Sequence, residues 1–267
     1  MPLVAYYPLF VISKEVFMFN NYSKPGKGVE KGEKRKNGFF QFFYSSYLYF
    51  TKIFFINFLA IPLIAIFAVF MEAVKHELGL SPGGEYIFNI FSALYFTLVG
   101  ISPVTFGFCR VASYLAEEKP VFIMSDFLNG IKENIKQSLI IFAVNAVVFY
   151  LFTVSFKFYF ISGLGSSVMP AFIIALVIYL IMNIYIGCLT VNFKIKTGDI
   201  YKKALAFTLI NLPQNILILI ILILIYAIAF FMTTLLGYMA FSLIFYGFSI
   251  LLINLYALRT IEKYKKD

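Results

Sequence analysis

Residues 213–232 read PQNILILIILILIYAIAFFM. Beyond Asn215 every side chain is apolar or a tyrosine, and none is charged. A helix needs about 20 such residues to cross a hydrocarbon core roughly 30 Å thick. Runs of similar length recur along the chain, at roughly 47–71, 86–108, 138–160, 168–191 and 238–258. Of the 267 residues, 61% are hydrophobic and 13% charged, and the mean hydropathy is +0.89. A soluble domain carries about 25% charged residues. A membrane β-barrel would alternate in segments of about ten residues, and these runs do not. The expected fold is all-α: a polytopic transmembrane helical bundle of about six spans, with amphipathic interfacial helices on the cytoplasmic side.

The Lys and Arg residues test the number of spans. Residues 72–85 carry only Lys75, against Glu72, Glu77 and Glu85, and the loop after the third span carries only Lys157. Apart from Lys52, near the start of the first span, all the other basic residues fall before that span or in the alternate segments 109–137, 192–203 and 259–267. Cytoplasmic loops are enriched in Lys and Arg. Six spans with both termini in the cytoplasm fit this distribution, in a plasma membrane. The chain then divides into a basic N-terminal segment with an interfacial helix (1–46), a six-span domain (47–258) and a basic tail (259–267). The net charge of +9 reads as loops facing anionic lipid, so membrane lipid is an expected partner and nucleic acid is not.

Shorter segments complete the picture. Residues 1–17 lack the basic start and small-residue cleavage site of a signal peptide, and Met18 is the expected native start. Residues 20–38 are rich in Gly, Lys and Asn, with Lys24, Lys27, Lys31, Lys34, Arg35 and Lys36 available to anionic headgroups. FFQFFYSSYLYF (39–50) reads as an interfacial helix. A second one, about 199–211, is expected to turn into the fifth span at Pro213. With no Trp in the chain, Tyr47, Tyr86, Tyr201, Tyr238 and Tyr256 are the expected interfacial aromatics. Cys109 and Cys188 lie near span ends on the reducing side, so a disulfide is not expected. Spans one, three and five each follow a lysine and carry an early Asn (Asn57, Asn145, Asn211). Three similar hairpins would give this pattern, and so would chance in an Asn- and Lys-rich chain.

Ionisable groups at mid-bilayer cost about 2.5–3.5 kcal/mol or more and mark proton paths and active sites. None stands in the middle of a span. His76 is the only histidine, in KHELG, and no second His completes HExxH; neither GxGxxG nor GxxxxGK[ST] occurs. The sequence therefore offers no catalytic residue, metal ligand or cofactor site, and a non-enzymatic protein is expected. The spans do contain amides: Asn57, Asn89, Asn145, Asn183, Asn215 and Asn254. They read as interhelical hydrogen-bonding groups, with a polar cavity for a neutral solute as the alternative.

SDFLNGIKENIKQ, residues 125–137, is the most polar stretch after the N-terminal segment. On a helical wheel Met124, Phe127, Leu128, Ile131, Ile135, Leu139 and Phe142 share one arc, opposite Asn129, Lys132, Glu133, Lys136 and Gln137. It reads as an amphipathic helix running into the third span, with Ser125 or Asp126 as N-cap, Gly130 a slight weakness and the apolar arc against membrane or neighbouring spans. Asp126, Asn129, Lys132, Glu133, Asn134, Lys136 and Gln137 form the candidate cytoplasmic contact surface.

The segment GISPVTFGFCRVASYLAEEKPVFIMSDFLNGIKENIKQSL (100–139) resembles the YesL-like family of small bacterial membrane proteins, a domain of unknown function. The likeness rests on Pro103, Thr105 and Gly107 at the end of a span, then Phe122, Asp126, Phe127, Asn134, Lys136 and Gln137. Residues 20–43 and 202–219 are similar to other parts of that family, which often has Trp where this chain has none. The resemblance implies an accessory role beside carbohydrate ABC transporters, so an ABC transporter or another membrane protein is an expected partner. The alternative is a permease-like subunit for a small solute, with 124–137 as its coupling helix, although no EAA…G signature is visible. A membrane scaffold or sensor is the third reading.

Overall fold

A computed structural model describes residues 38–100, 102–161, 165–231 and 233–265. The expectations for the basic N-terminal segment and the native start lie outside these residues. The elements are α1 (Gly38–Leu48), α2 (Phe50–Leu78), α3 (Pro82–Leu98), α4 (Ser102–Ala116), α5 (Ile123–Ile161), α6 (Gly165–Asn192), α7 (Thr197–Ile210), α8 (Leu212–Ala229), α9 (Thr234–Ala240), a π-helical turn (Phe241–Phe245) and α10 (Tyr246–Lys265). The described chain is thus all-helical. Five stretches are long and apolar enough to cross a membrane: Phe50–Leu78, Ile123–Ser155, Val168–Asn192, Leu212–Ala229 and Thr234–Tyr264. The pair α3–α4 makes a sixth if its two halves count as one span.

Hydrogen bonds between distant residues show which ends lie together. The Gln41 side chain donates to the Ala116 carbonyl and accepts from Arg259, and Lys52 donates to the Val121 carbonyl. Gln137 donates to the Ile195 carbonyl and Tyr264 to Asn211. The starts of α2 and α5 and the ends of α4, α6 and α10 therefore share one face with α1 and α7. This is the face of Arg110, Lys119, Lys194 and Lys196, and we call it the basic face. At the opposite face Lys75 bridges Glu72 (2.6 Å) and Glu85 (3.4 Å), Tyr86 donates to the Ala227 carbonyl and Asn89 to Thr234.

The second span is not the single straight helix expected over 86–108. One helix ends at Leu98, the next starts at Ser102, and the two are bent by 71°. Gly100 takes φ +48°, and a Cβ there would lie 2.4 Å from Thr105 Oγ1 and 2.7 Å from the Phe96 carbonyl oxygen. Only glycine suits both the left-handed backbone and the space. The buried run Val111, Ala112, Ser113, Leu115 and Ala116 then continues α4, within what the sequence reading has as the basic segment 109–137 between two spans. The loop expected over 72–85 also shrinks. α2 continues to Leu78 and ends on a left-handed Gly79, so Glu72 to Glu77 stand on helix and the connection is only 79–81.

Two expectations about connections match the structure. α1 keeps Gln41, Ser45 and Ser46 buried and Phe40, Phe43 and Tyr47 exposed. α7 ends at Asn211, and α8 begins with Pro213 in its first turn, where a missing N–H costs nothing. The tyrosines differ from an interfacial belt. Tyr47 is exposed, but Tyr86 and Tyr256 donate inward and Tyr238 shares a hydrogen bond with Ser92.

Candidate functional site

The amides inside the spans bond to protein. All six expected asparagines are buried. Asn57 donates to the carbonyls of Leu243 and Ile244 and accepts from the Gly247 N–H. It thereby serves backbone groups in and just beyond the π-helical turn, where the ordinary i to i−4 pairing is interrupted. Asn215 donates to the carbonyls of Phe207 and Thr208 and accepts from Tyr185 (2.6 Å) and Tyr256 (2.7 Å). Asn254 accepts from Ser113. Asn183 is the local case, donating to Tyr179 one turn back in its own helix.

The broken span carries a second polar group. Asn145 of α5 donates to Ser102 at the start of α4 (3.3 Å) and accepts from the Tyr179 hydroxyl (2.7 Å). Beside it lies a cavity of about 10 Å³ lined by Thr97, Ser102, Thr105, Cys109 and Asn183 among others. That is the room of one water molecule. Both cysteines are buried free thiols.

The larger cavity opens at the basic face. It measures about 630 Å³ and lies between α4, the first turns of α5 and the strap 193–196 that joins α6 to α7. That volume is in the range of small-molecule sites, about 300–1,000 Å³. Arg110, Lys119, Lys194 and Lys196 line it, with Glu133 as the one acidic side chain. Arg110 forks onto Glu133 (2.8 and 3.4 Å) and lies 5.2 Å over the Tyr114 ring. Lys119 approaches the same ring and pairs with Glu117 (2.6 Å). The Gln137 bond to Ile195 (2.7 Å) ties the strap to α5.

The structure divides the expected contact surface. Asn129, Lys132 and Lys136 are exposed. Glu133 faces the cavity through Arg110. Asn134 and Gln137 are half-buried, with Asn134 donating to the Gly130 carbonyl one turn back; they belong to the packed side of α5 and not to a free surface. Neither Ser125 nor Asp126 is the N-cap. The helix starts at Ile123, and the Asp126 carboxylate, one turn in, accepts the Phe122 N–H at 2.8 Å.

The apolar arc, expected against membrane or neighbouring spans, divides: Phe127 and Ile131 are half-buried and the rest face outward. Met124, Leu128, Ile135, Leu139 and Phe142 are exposed. The side against the protein is Phe127, Gly130, Asn134, Gln137, Ser138, Ile141 and Asn145, all half-buried or buried. Membrane helices pack through small and polar residues because lipid already satisfies the apolar ones. Gly130 is the contact point: a Cβ there would meet Arg110 Cβ at 2.8 Å, Gly107 Cα at 3.0 Å and the Phe106 carbonyl at 3.1 Å. Gly107 in turn lies under the Phe127 ring. In the motif Pro103, Thr105 and Gly107, Thr105 therefore packs on Gly100 and Gly107 on α5, while Pro103 falls in the first turn of α4.

Sequence reasoning missed Arg110, Tyr114, Lys119, Lys194 and Lys196 as neighbours, because they come from α4, the connection after it and the distant strap 193–196. The usable signal was the charge of Arg110 and Glu133 on adjacent stretches. No family model, no curated protein and no solved structure matches this chain. Fold and composition define the class: an integral membrane protein of several helical spans, with apolar faces suited to lipid.

Proposed function

We propose that this protein is a non-enzymatic accessory component of a membrane transport system, acting through its basic face. The basic face is cytoplasmic in this reading, in a plasma membrane, with both termini on that side. The distribution of Lys and Arg supports the orientation. The resemblance of residues 100–139 to the YesL-like family supports the assignment to carbohydrate ABC-type transport.

One observation carries the docking role. α5 runs 39 residues without interruption, about 58 Å at 1.5 Å per residue, roughly twice the hydrocarbon thickness. The exposed apolar residues Leu139, Phe142, Val147, Leu151 and Val154 occupy its later part. Its first four turns carry Asn129, Lys132 and Lys136 outward. The polar sector thus extends past the apolar band as a surface for a partner.

Photocrosslinkers placed at 129, 132 and 136 in native membranes test this, with 147 as the lipid-facing control. The expected result is an adduct with a transporter subunit from the first three positions and lipid alone from 147. Lipid adducts alone at all four positions refute the proposal.

The broken α3–α4 span favours a second reading, a permease-like subunit, because discontinuous helices line solute sites in many transporters. In that reading 124–137 is the first part of a long helix and not a separate coupling helix. Solute flux in vesicles containing the purified protein, with and without an ATPase subunit, separates the two readings.

A further inference from the structure

The cavity at the basic face has a charge imbalance that its internal ion pairs do not remove. Arg110 is matched by Glu133 and Lys119 by Glu117. Lys194 and Lys196 line the same cavity and have no acidic partner among the described residues. Arg110 also keeps a buried Nε with no acceptor. The strap delivers its lysines at the start of α7, where Lys196 is the N-cap and makes no side-chain capping bond. The N–H groups of Asp199 and Ile200 are taken by the Lys196 carbonyl. Those of Thr197 and Gly198 come earlier in the turn, at the positive end of the helix dipole. Nothing lies within 4 Å of where a Gly198 Cβ would be, so the backbone there is open to approach. Asp199 supplies one opposing charge in that turn.

Its depth is also defined. Gln137 and Val191 line the cavity at the points where the apolar runs of α5 begin and of α6 end. In a bilayer crossed by those runs, that level falls at the border between hydrocarbon and headgroups.

We propose that this cavity is a binding site for a phosphate-bearing anion, held by Lys194, Lys196 and Arg110 with the first turn of α7. Two unmatched lysines and a guanidinium line the same cavity and supply charge-assisted donors, and the N–H groups of Thr197 and Gly198 follow Lys196 directly in the chain. Basic pockets between membrane helices on the cytoplasmic side take lipid headgroups in this manner. A soluble phosphate ester offers the same chemistry.

The test uses the full chain in detergent, with the unfolding midpoint as the readout. The probes are short-chain phosphatidylglycerol, short-chain phosphatidylcholine and inorganic phosphate. Phosphatidylglycerol is expected to raise the midpoint saturably. Lys194→Gln with Lys196→Gln weakens its apparent affinity about tenfold or more, from the loss of two charged hydrogen-bonding groups. Lys132→Gln with Lys136→Gln removes the same charge from the exposed side of α5 and serves as the control, leaving the affinity within about twofold, as for screened surface charges. Equal protection by inorganic phosphate at matched concentration assigns the site to a free anion; protection by the lipid alone assigns it to a headgroup. Equal protection by phosphatidylcholine, equal weakening in both double variants, or no protection by either anionic probe overturns the proposal. Both double variants should unfold at the wild-type midpoint without ligand, so loss of affinity is distinguished from loss of fold.

Discussion

At the residue scale, the buried amides act as backbone partners more than as solute ligands. Asn57 is the clearest case. Its side chain serves two carbonyls and one N–H of the last span, and no water is at hand in the hydrocarbon region to replace it. Asn57→Leu removes those three bonds in an apolar setting. A buried polar group without a partner costs about 1–3 kcal/mol, so the variant should unfold at clearly lower temperature in detergent. Asn183→Leu provides the contrast. Its donor returns to its own helix, at Tyr179, and average polar contacts between membrane helices contribute only about 0.6 kcal/mol. The expected order is a larger loss for Asn57→Leu, read from parallel thermal melts. Equal losses would show that the π-helical turn does not depend on Asn57.

At the element scale, α5 has three sectors. At about 100° per residue, Gly130, Asn134, Gln137, Ile141 and Asn145 face the protein. Met124, Ile135, Leu139 and Phe142 face outward as an apolar strip, and Asn129, Lys132 and Lys136 form the polar strip. The helical period and the polar strip were legible in the sequence. The identity of the packed strip was not, because apolarity alone does not tell a strip that faces lipid from one that faces neighbouring spans. The role of Gly130 at a close helix crossing was not legible either, since propensity says nothing of packing. Gly130→Leu should cost about 1–3 kcal/mol by overpacking, because the atoms opposing a new Cβ are the Gly107 and Phe106 backbone and the root of Arg110. Leu139→Ala, on the lipid-facing strip, should leave the melting temperature nearly unchanged. A Gly130→Leu protein as stable as wild type would mean that α4 and α5 can separate at no cost.

At the scale of the whole molecule, the apolar stretches able to cross a membrane were readable because hydrocarbon thickness fixes run length. The break in the second span was not. Residues 86–108 are uniformly apolar enough to pass as one helix, and Gly100 and Pro103 are tolerated in straight spans too. The cavity at the basic face was invisible for a different reason: its walls come from positions about 80 residues apart, Arg110 and Lys194.

The six-crossing path makes a prediction that needs no partner or ligand. Both ends of the described chain lie on the basic face, together with the strap 193–196, whereas 79–81 lies on the other. In the native chain Cys109 and Cys188 are buried, so a membrane-impermeant maleimide should leave the folded wild-type protein unlabelled. Lys194→Cys and Leu80→Cys then introduce one accessible thiol each, at opposite faces. Inverted vesicles should label the first and spare the second, and right-side-out cells should do the reverse, if the basic face is cytoplasmic as its charge requires. Labelling of both from one side would break the six-crossing path, because an odd number of crossings separates 80 from 194. A clean exchange of the two patterns would keep the path and invert its orientation. Those two results fail differently: the first removes the α3–α4 pair as a crossing, and the second removes only the assignment of the basic face to the cytoplasm.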